Sequence, residues 1–253
     1  FEQTPFCPAT FFNFQNRLLS YWAETGENPI ESVFDALSEQ QRKKLKLKTN
    51  IQRMDSFQAL SNIRHYSRIQ LLVEVLIRLY RSLTDEQKKQ LQNDFDIFIQ
   101  SKSSTFVYNL NKSDIPHTLE KLGKAYHAIY LHLKSETLYD TDTFTIFERV
   151  YREHFVVETD AIVVRDTKEL DSSMLQSPDD IDATYRRKRG KDFQGQVVNV
   201  AETSHPDNPI NLITDVAVEA NNVDDSMILT DRIDIIKEKC SDLEEIHTDG
   251  GYG

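Results

Sequence analysis

The sequence predicts an α+β fold, a mixed sheet interrupted by a large helical insertion and preceded by a small helical region. Three observations carry this expectation. From Ile69 to Tyr151 apolar residues recur at three- and four-residue steps, the spacing of buried helix faces. Outside that block, residues 45–60 and 193–218 alternate apolar and polar side chains, as half-buried strands do. At 253 residues and 39% hydrophobic content, the chain can bury a core of ordinary size. The predicted layout is a helical amino-terminal region (1–44), a first core strand (45–61), a mainly helical insertion (62–176), and a basic loop with the remaining sheet (177–253).

Phe11, Phe14, Leu18 and Tyr21 share one face of a first short helix, with Thr10 as its cap. Pro29 opens a second helix, whose Val33, Phe34 and Leu37 point inward and which runs into the basic cluster Arg42, Lys43, Lys44, Lys46 and Lys48. That cluster reads either as a DNA-contacting arm or as a solvated charged face. Leu45, Leu47, Thr49 and Ile51 then alternate as a strand that ends at Met54-Asp55-Ser56.

The insertion opens with a helical stripe from Ile69 through Leu72, Leu76 and Leu79 to Leu83. Thr84 and Gln87 form a capping box for a helix carrying Leu91, Phe95 and Phe98. Two more helices follow, on Leu119 to Leu133 and on Phe144 to Tyr151. The histidines of this block, His65, His117, His127, His132 and His154, lack the spacing of a helical zinc motif and read as structural or exposed.

After Pro178 the pattern changes. Asp179, Asp180 and Asp182 lead into Arg186, Arg187, Lys188, Arg189 and Lys191, the densest positive charge in the chain. Residues 193–200 read as a strand and 203–209 as a turn. In a second strand, Ile210, Leu212, Val216 and Val218 face inward against Asn211, Asp215 and Glu219, which makes a hairpin. A helix with Leu229, Ile233, Ile236 and Cys240 on its inner face precedes a short strand that delivers Asp249 to a glycine-rich turn.

A net charge of −11 argues against nucleic acid on average, but the clustering of the basic residues decides the matter locally. Cys7 and Cys240 lack the spacing of a zinc site or a disulfide framework and read as free thiols of a reducing cytosol. No apolar run has the length of a membrane span and no leader peptide is visible, so a cytoplasmic protein is expected. The start at Phe1 and the stop within 248–253 predict a fragment at both ends.

With the insertion set aside, the order is a strand with Asp55, a hairpin, a helix, and a strand with Asp249. In an RNase H-like sheet the first strand and the strand after the first helix are neighbours, so their acids converge. Two close carboxylates repel unless a cation lies between them, which suits Mg2+ or Mn2+ and phosphoryl transfer.

Gln52-Arg53-Met54-Asp55-Ser56, Ser61-Asn62-Ile63-Arg64 and Gln70-Leu71-Leu72-Val73-Glu74-Val75-Leu76 resemble the catalytic-domain opening of bacterial insertion-sequence transposases of the DDE type. The run from Leu175 to Gly190, through Ser177-Pro178-Asp179-Asp180-Ile181-Asp182-Ala183-Thr184-Tyr185, and the segment Thr248-Asp249-Gly250-Gly251-Tyr252 are similar to the same group. The resemblance implies metal-dependent cleavage and strand transfer at transposon ends by three acids holding two ions in an RNase H-like core. Asp55 matches the first acid and Asp249 the second, and the third, a Glu on a later helix, falls beyond Gly253. On that reading this piece binds metal poorly and does not catalyse. Phe57 departs from the small polar residue frequent in the family, and the insertion follows the first strand instead of the second acid.

The partners implied are double-stranded DNA, as transposon ends and target, and a second copy in the DNA complex, in a bacterial cytoplasm at the nucleoid. Two other functions compete: a non-catalytic DNA-binding remnant, and a helical interaction protein with an incidental sheet. For the acidic and basic run, exposed ion pairs compete with phosphate contacts by Arg186, Arg187, Lys188 and Arg189.

Overall fold

The computed structural model describes residues 7–61, 63, 66–134, 142–159, 161–188 and 190–250. Arg189, His65 and the last three residues lie outside the described residues. The architecture is α+β with a mixed sheet: helices α1 (Pro8–Thr25) and α2 (Pro29–Leu45), strand β1 (Ile51–Leu60), then helices α3 (Arg68–Ser82), α4 (Asp85–Gln90), α5 (Gln92–Ile99), α6 (Ser103–Tyr108), α7 (Ile115–Leu133) and α8 (Asp142–His154). Strands β2 (Phe155–Glu158), β3 (Ala161–Val164), β4 (Thr184–Lys188), β5 (Lys191–Thr203) and β6 (Ile213–Ala220), helix α9 (Asp225–Lys239) and strand β7 (Glu245–His247) complete it. The five-stranded sheet runs β4-β5-β1-β7, with β6 also on β5, and β2 and β3 form a separate hairpin. No helix among the described residues is long and apolar enough to cross a membrane.

Two compact units divide the chain: residues 1–57, 198–218 and 224–253 form one, and residues 58–197 and 219–223 the other.

The second unit is built around α3, in which eight residues from Ile69 to Leu79 are buried, a broad apolar face that leaves Gln70, Glu74, Arg78 and Arg81 on the other side. Ser67 caps its start, and the Thr84–Gln87 capping box opens α4 as the sequence predicts. The expected single helix over Leu91 to Phe98 is instead divided at Leu91, whose backbone closes α4. Tyr126 of α7 is fully buried and stacks on Phe147, ring centroids 4.8 Å apart. Its hydroxyl donates to the Leu72 carbonyl at 2.8 Å, which satisfies that buried polar atom.

His154 ends α8 inside the same core. Its Nδ1 accepts from Arg68 Nε at 3.2 Å, so the ring is neutral with its proton on Nε2. Burial first, then the nearby charges of Arg68 and Arg165, lower its pKa to about 3. The unfolded chain therefore takes up this proton near pH 6.5 while the folded chain refuses it. Stability is expected to fall as pH falls, by about 2 kcal/mol between pH 7 and 5. Urea midpoints across that range check this, and His154→Asn should flatten the slope.

In the first unit Ile228 and Ile236 of α9, Cys240 just after it, and Met54 and Ala201 of the sheet are buried. Buried Gln52 is fully used: its amide nitrogen donates to the Thr49 carbonyl at 2.8 Å and its oxygen accepts from Thr214 Oγ1 at 2.8 Å. Asp215 lies among Arg232 and Lys239, and Lys239 also reaches Asp35 of α2 at 2.8 Å. Burial alone would raise the Asp215 carboxyl, but the bonds from Arg232 and Lys239 outweigh it and hold the group below the usual carboxylate range.

Several expectations are corrected here. The strand starts at Ile51, not Leu45, because α2 continues through Leu45 and is closed by Lys46 in the left-handed conformation, φ 49°. It runs on to Leu60, so Asp55 is mid-strand instead of at a strand end. In β6 the expected faces are inverted: Thr214, Asp215 and Ala217 are buried while Val216 and Val218 are exposed. The reason is local, since hydrogen bonds to Thr214 and the two cations around Asp215 stabilise polar side chains inside. The basic segment is strand β4 and not a loop.

Candidate metal and nucleic-acid site

Asp55 is placed by alternation along β1. Gln52 and Met54 turn to the covered face, so Arg53, Asp55 and Phe57 project from the exposed one. The Asp55 carboxylate accepts from the Ser56 amide at 2.8 Å. On the opposite face Ser56 Oγ donates to Asp225 of α9 at 2.7 Å, which ties the middle of β1 to the helix start. Arg53 is paired with Glu202 of β5 through Nε at 2.9 Å.

β7 lies parallel to β1, with Ile51 opposite Glu245, Gln52 opposite Ile246 and Arg53 opposite His247. The offset is constant over the three pairs. β7 ends at His247, so the paired register stops short of Asp55 and Asp249, the latter lying two residues past the strand. Both residues are exposed. His247, level with Arg53, contacts Glu245 at 3.1 Å. Among the described residues no three His, Cys, Asp or Glu side chains cluster as a metal site. The parallel pairing thus puts the strand that carries Asp55 beside the strand that precedes Asp249, and each carboxylate is an oxygen donor of the kind hard divalent cations take.

No protein-family model matches this chain, and neither a curated protein nor a solved structure matches it. The reading of its chemistry therefore rests on its own residues.

Four of the five basic candidates lie among the described residues, and their roles are unequal. β4 and β5 pair antiparallel, with Arg186 opposite Phe193, Arg187 opposite Asp192 and Lys188 opposite Lys191, and Gly190 between the strands has φ 78°. Arg186 is structural: its Nη1 donates to the carbonyls of Asn221 and Val223, both at 3.0 Å. Arg187 is exposed and shares Asp192 at 3.6 Å, an ion pair worth little in water. Lys188 and Lys191 are exposed and directly opposed, and like charges across a ladder repel. An anion between them would relieve that repulsion.

The acidic half of the run does not neutralise this hairpin. Asp179 pairs with Arg78 at 2.7 Å. Asp180 accepts from Ser61 Oγ and from the amides of Asp182 and Ala183, so it closes a turn. Three of the five residues of the amino-terminal basic cluster are engaged: Arg42 donates to the Lys239 carbonyl at 2.6 Å, Lys43 pairs with Glu39 at 2.5 Å, and Lys48 pairs with Asp207. What the sequence reading missed is Asp225, a carboxylate at the start of α9 buried against Ser56. An Asp before an apolar helix reads as a cap, and nothing in the sequence connects it to β1.

Proposed function

We propose that this chain carries part of the catalytic core of a DDE-type DNA transposase with an RNase H-like sheet. The observation that supports the reading is the parallel pairing of β1, which carries Asp55, with β7, which ends two residues before Asp249. It is supported by a strand order in which β6, β5, β1 and β7 follow one another across the sheet. Exposed carboxylates are donors of the kind Mg2+ or Mn2+ takes, and such an ion would supply Lewis-acid stabilisation at a DNA phosphate. The chain's own contribution would be the carboxylates of Asp55 on β1 and of Asp249 just past β7. Lys188, Lys191 and Arg187 bind phosphate without reading base sequence. No residue between Phe1 and Gly253 is assigned as the third acid, so the tests on this chain are of binding.

Duplex DNA should bind with an affinity that falls steeply with salt. Replacing Arg187, Lys188 and Lys191 together by alanine should make the log–log salt dependence shallower by about 2 to 3. Fluorescence anisotropy at several salt concentrations checks this, and an unchanged slope would remove the hairpin from the interface. Arg186→Ala should act differently, by lowering stability, because it leaves the Asn221 and Val223 carbonyls without their donor.

A second reading, a DNA-binding protein without catalysis, is favoured by the Lys188–Lys191 opposition alone. DNA binding with no metal response at Asp55 and Asp249 would select it.

A further inference from the structure

In the second unit, α7, α8 and β2 line a cavity of about 460 Å3 whose residues take no part in the candidate metal or DNA site. Tyr151 and Phe155 are buried, His127 and Tyr130 half-buried, and Leu131 and Val157 exposed, so the lining grades from core to solvent. An apolar, aromatic cavity of that size with a few polar groups is the usual form of a small-molecule site.

Its rings are neighbours. Tyr130 and Tyr151 have centroids 5.1 Å apart, and Tyr151 and Phe155 6.3 Å apart. Rings set this way offer a planar guest both dispersion and edge or face contacts. The His127 Nδ1 lies 2.7 Å from the Tyr151 hydroxyl, a hydrogen bond that ties α7 to α8 and holds the lining in place before any guest arrives.

Two arginines line the same cavity, and they differ. Arg152 is committed: it pairs with Glu148 at 2.6 Å, donates to the Tyr130 hydroxyl at 3.2 Å, and sets its guanidinium carbon 5.8 Å from the Tyr130 ring centroid. Arg165 is not. Its Nε is buried without an acceptor, and its guanidinium makes one long hydrogen bond, from Nη2 to the Arg152 carbonyl at 3.5 Å. Among the described residues no carboxylate pairs with it. A buried donor left without an acceptor is costly, and an anion in the cavity would supply one.

We infer that this cavity binds a small aromatic carboxylate, its ring among Tyr130, Tyr151 and Phe155 and its carboxylate on Arg165. Charge selects the class. With Glu148 set against Arg152, the described lining keeps one uncompensated positive charge, that of Arg165, which balances a monoanion. The guanidinium fork also matches the two oxygens of a carboxylate. A nucleotide phosphate would bring more negative charge than this lining neutralises.

Calorimetric titration of the whole chain with cinnamate tests this. A one-to-one isotherm with a dissociation constant below ~1 mM is expected. Cinnamamide, which keeps the ring and loses the charge, should bind at least ~10-fold more weakly, and so should AMP. Arg165→Gln should weaken cinnamate binding at least ~10-fold. Leu131→Trp, which adds bulk to the lining from an exposed position, should do the same with far-UV circular dichroism unchanged, and it decides the matter if Arg165→Gln fails to fold. Absence of saturable heat up to about 10 mM cinnamate would overturn the inference. Cinnamamide or AMP binding as tightly as cinnamate would do so too, as would cinnamate binding that neither substitution weakens.

Discussion

Asp55→Asn is expected to weaken Mn2+ binding to this chain at least ~10-fold, and Asp249→Asn to do the same. The double variant should be little worse than either single one, because both side chains serve one ion and their effects are not additive. Without metal, Asp55→Asn should leave stability within about 0.5 kcal/mol, as an exposed substitution does. Thermal unfolding with and without Mn2+ reads both effects: the metal should raise the midpoint of the wild type and leave those of the variants unmoved. A purely structural aspartate would give destabilisation in both conditions.

Gly195→Ala is expected to lower stability by more than about 3 kcal/mol. Gly195 has φ 147°, and a Cβ there would lie 2.2 Å from the Ala59 carbonyl oxygen and 2.6 Å from the Ser61 nitrogen. Both are backbone atoms of the strand alongside, so no rotamer change relieves the contact. The close approach goes with the hydrogen bond from the Ser61 amide to the Gln194 carbonyl at 3.0 Å, which holds the end of β1 to β5. Gly190→Ala is the control. Gly190 also has positive φ, 78°, but nothing lies within 4 Å of a Cβ there, so its cost is conformational strain alone, on the order of 1 kcal/mol. Equal effects at the two positions in urea unfolding would contradict the close strand approach.

The helices of the second unit were legible because local patterning and burial agree there. Ile69 to Leu83 repeat at helical spacing and are buried at that spacing, and the Thr84–Gln87 box makes the hydrogen bonds its spacing implies. Where tertiary partners overrule pattern, legibility ends. Alternation in β6 is real, but Asp215 faces inward because Arg232 and Lys239 reach it from α9, seventeen and twenty-four residues away. In α2 the apolar stripe is equally plain, yet it is the polar face of Asp35, Ser38 and Arg42 that meets the rest of the protein. Charge hid β4, since a run of Arg and Lys reads as a loop until a ladder with β5 supplies its partners.

The candidate site shows the same division. The order of elements was enough to expect the strand of Asp55 beside the strand that leads to Asp249, and β1 and β7 do pair in parallel. The register of that pair is not carried by sequence alone, because a shift of one residue turns every side chain to the other face. Within the basic run the positive charge was visible. That Arg186 is spent on two carbonyls was not, because Asn221 and Val223 are thirty-five and thirty-seven residues away.

Paramagnetic broadening by substoichiometric Mn2+ in the amide spectrum locates the ion even where its affinity is weak. Amides of residues 53–57 and of 247–250 should broaden together, at the same metal concentration, and Asp55→Asn should abolish both sets. Broadening confined to one strand, or centred away from Asp55 and Asp249, would contradict a shared metal site.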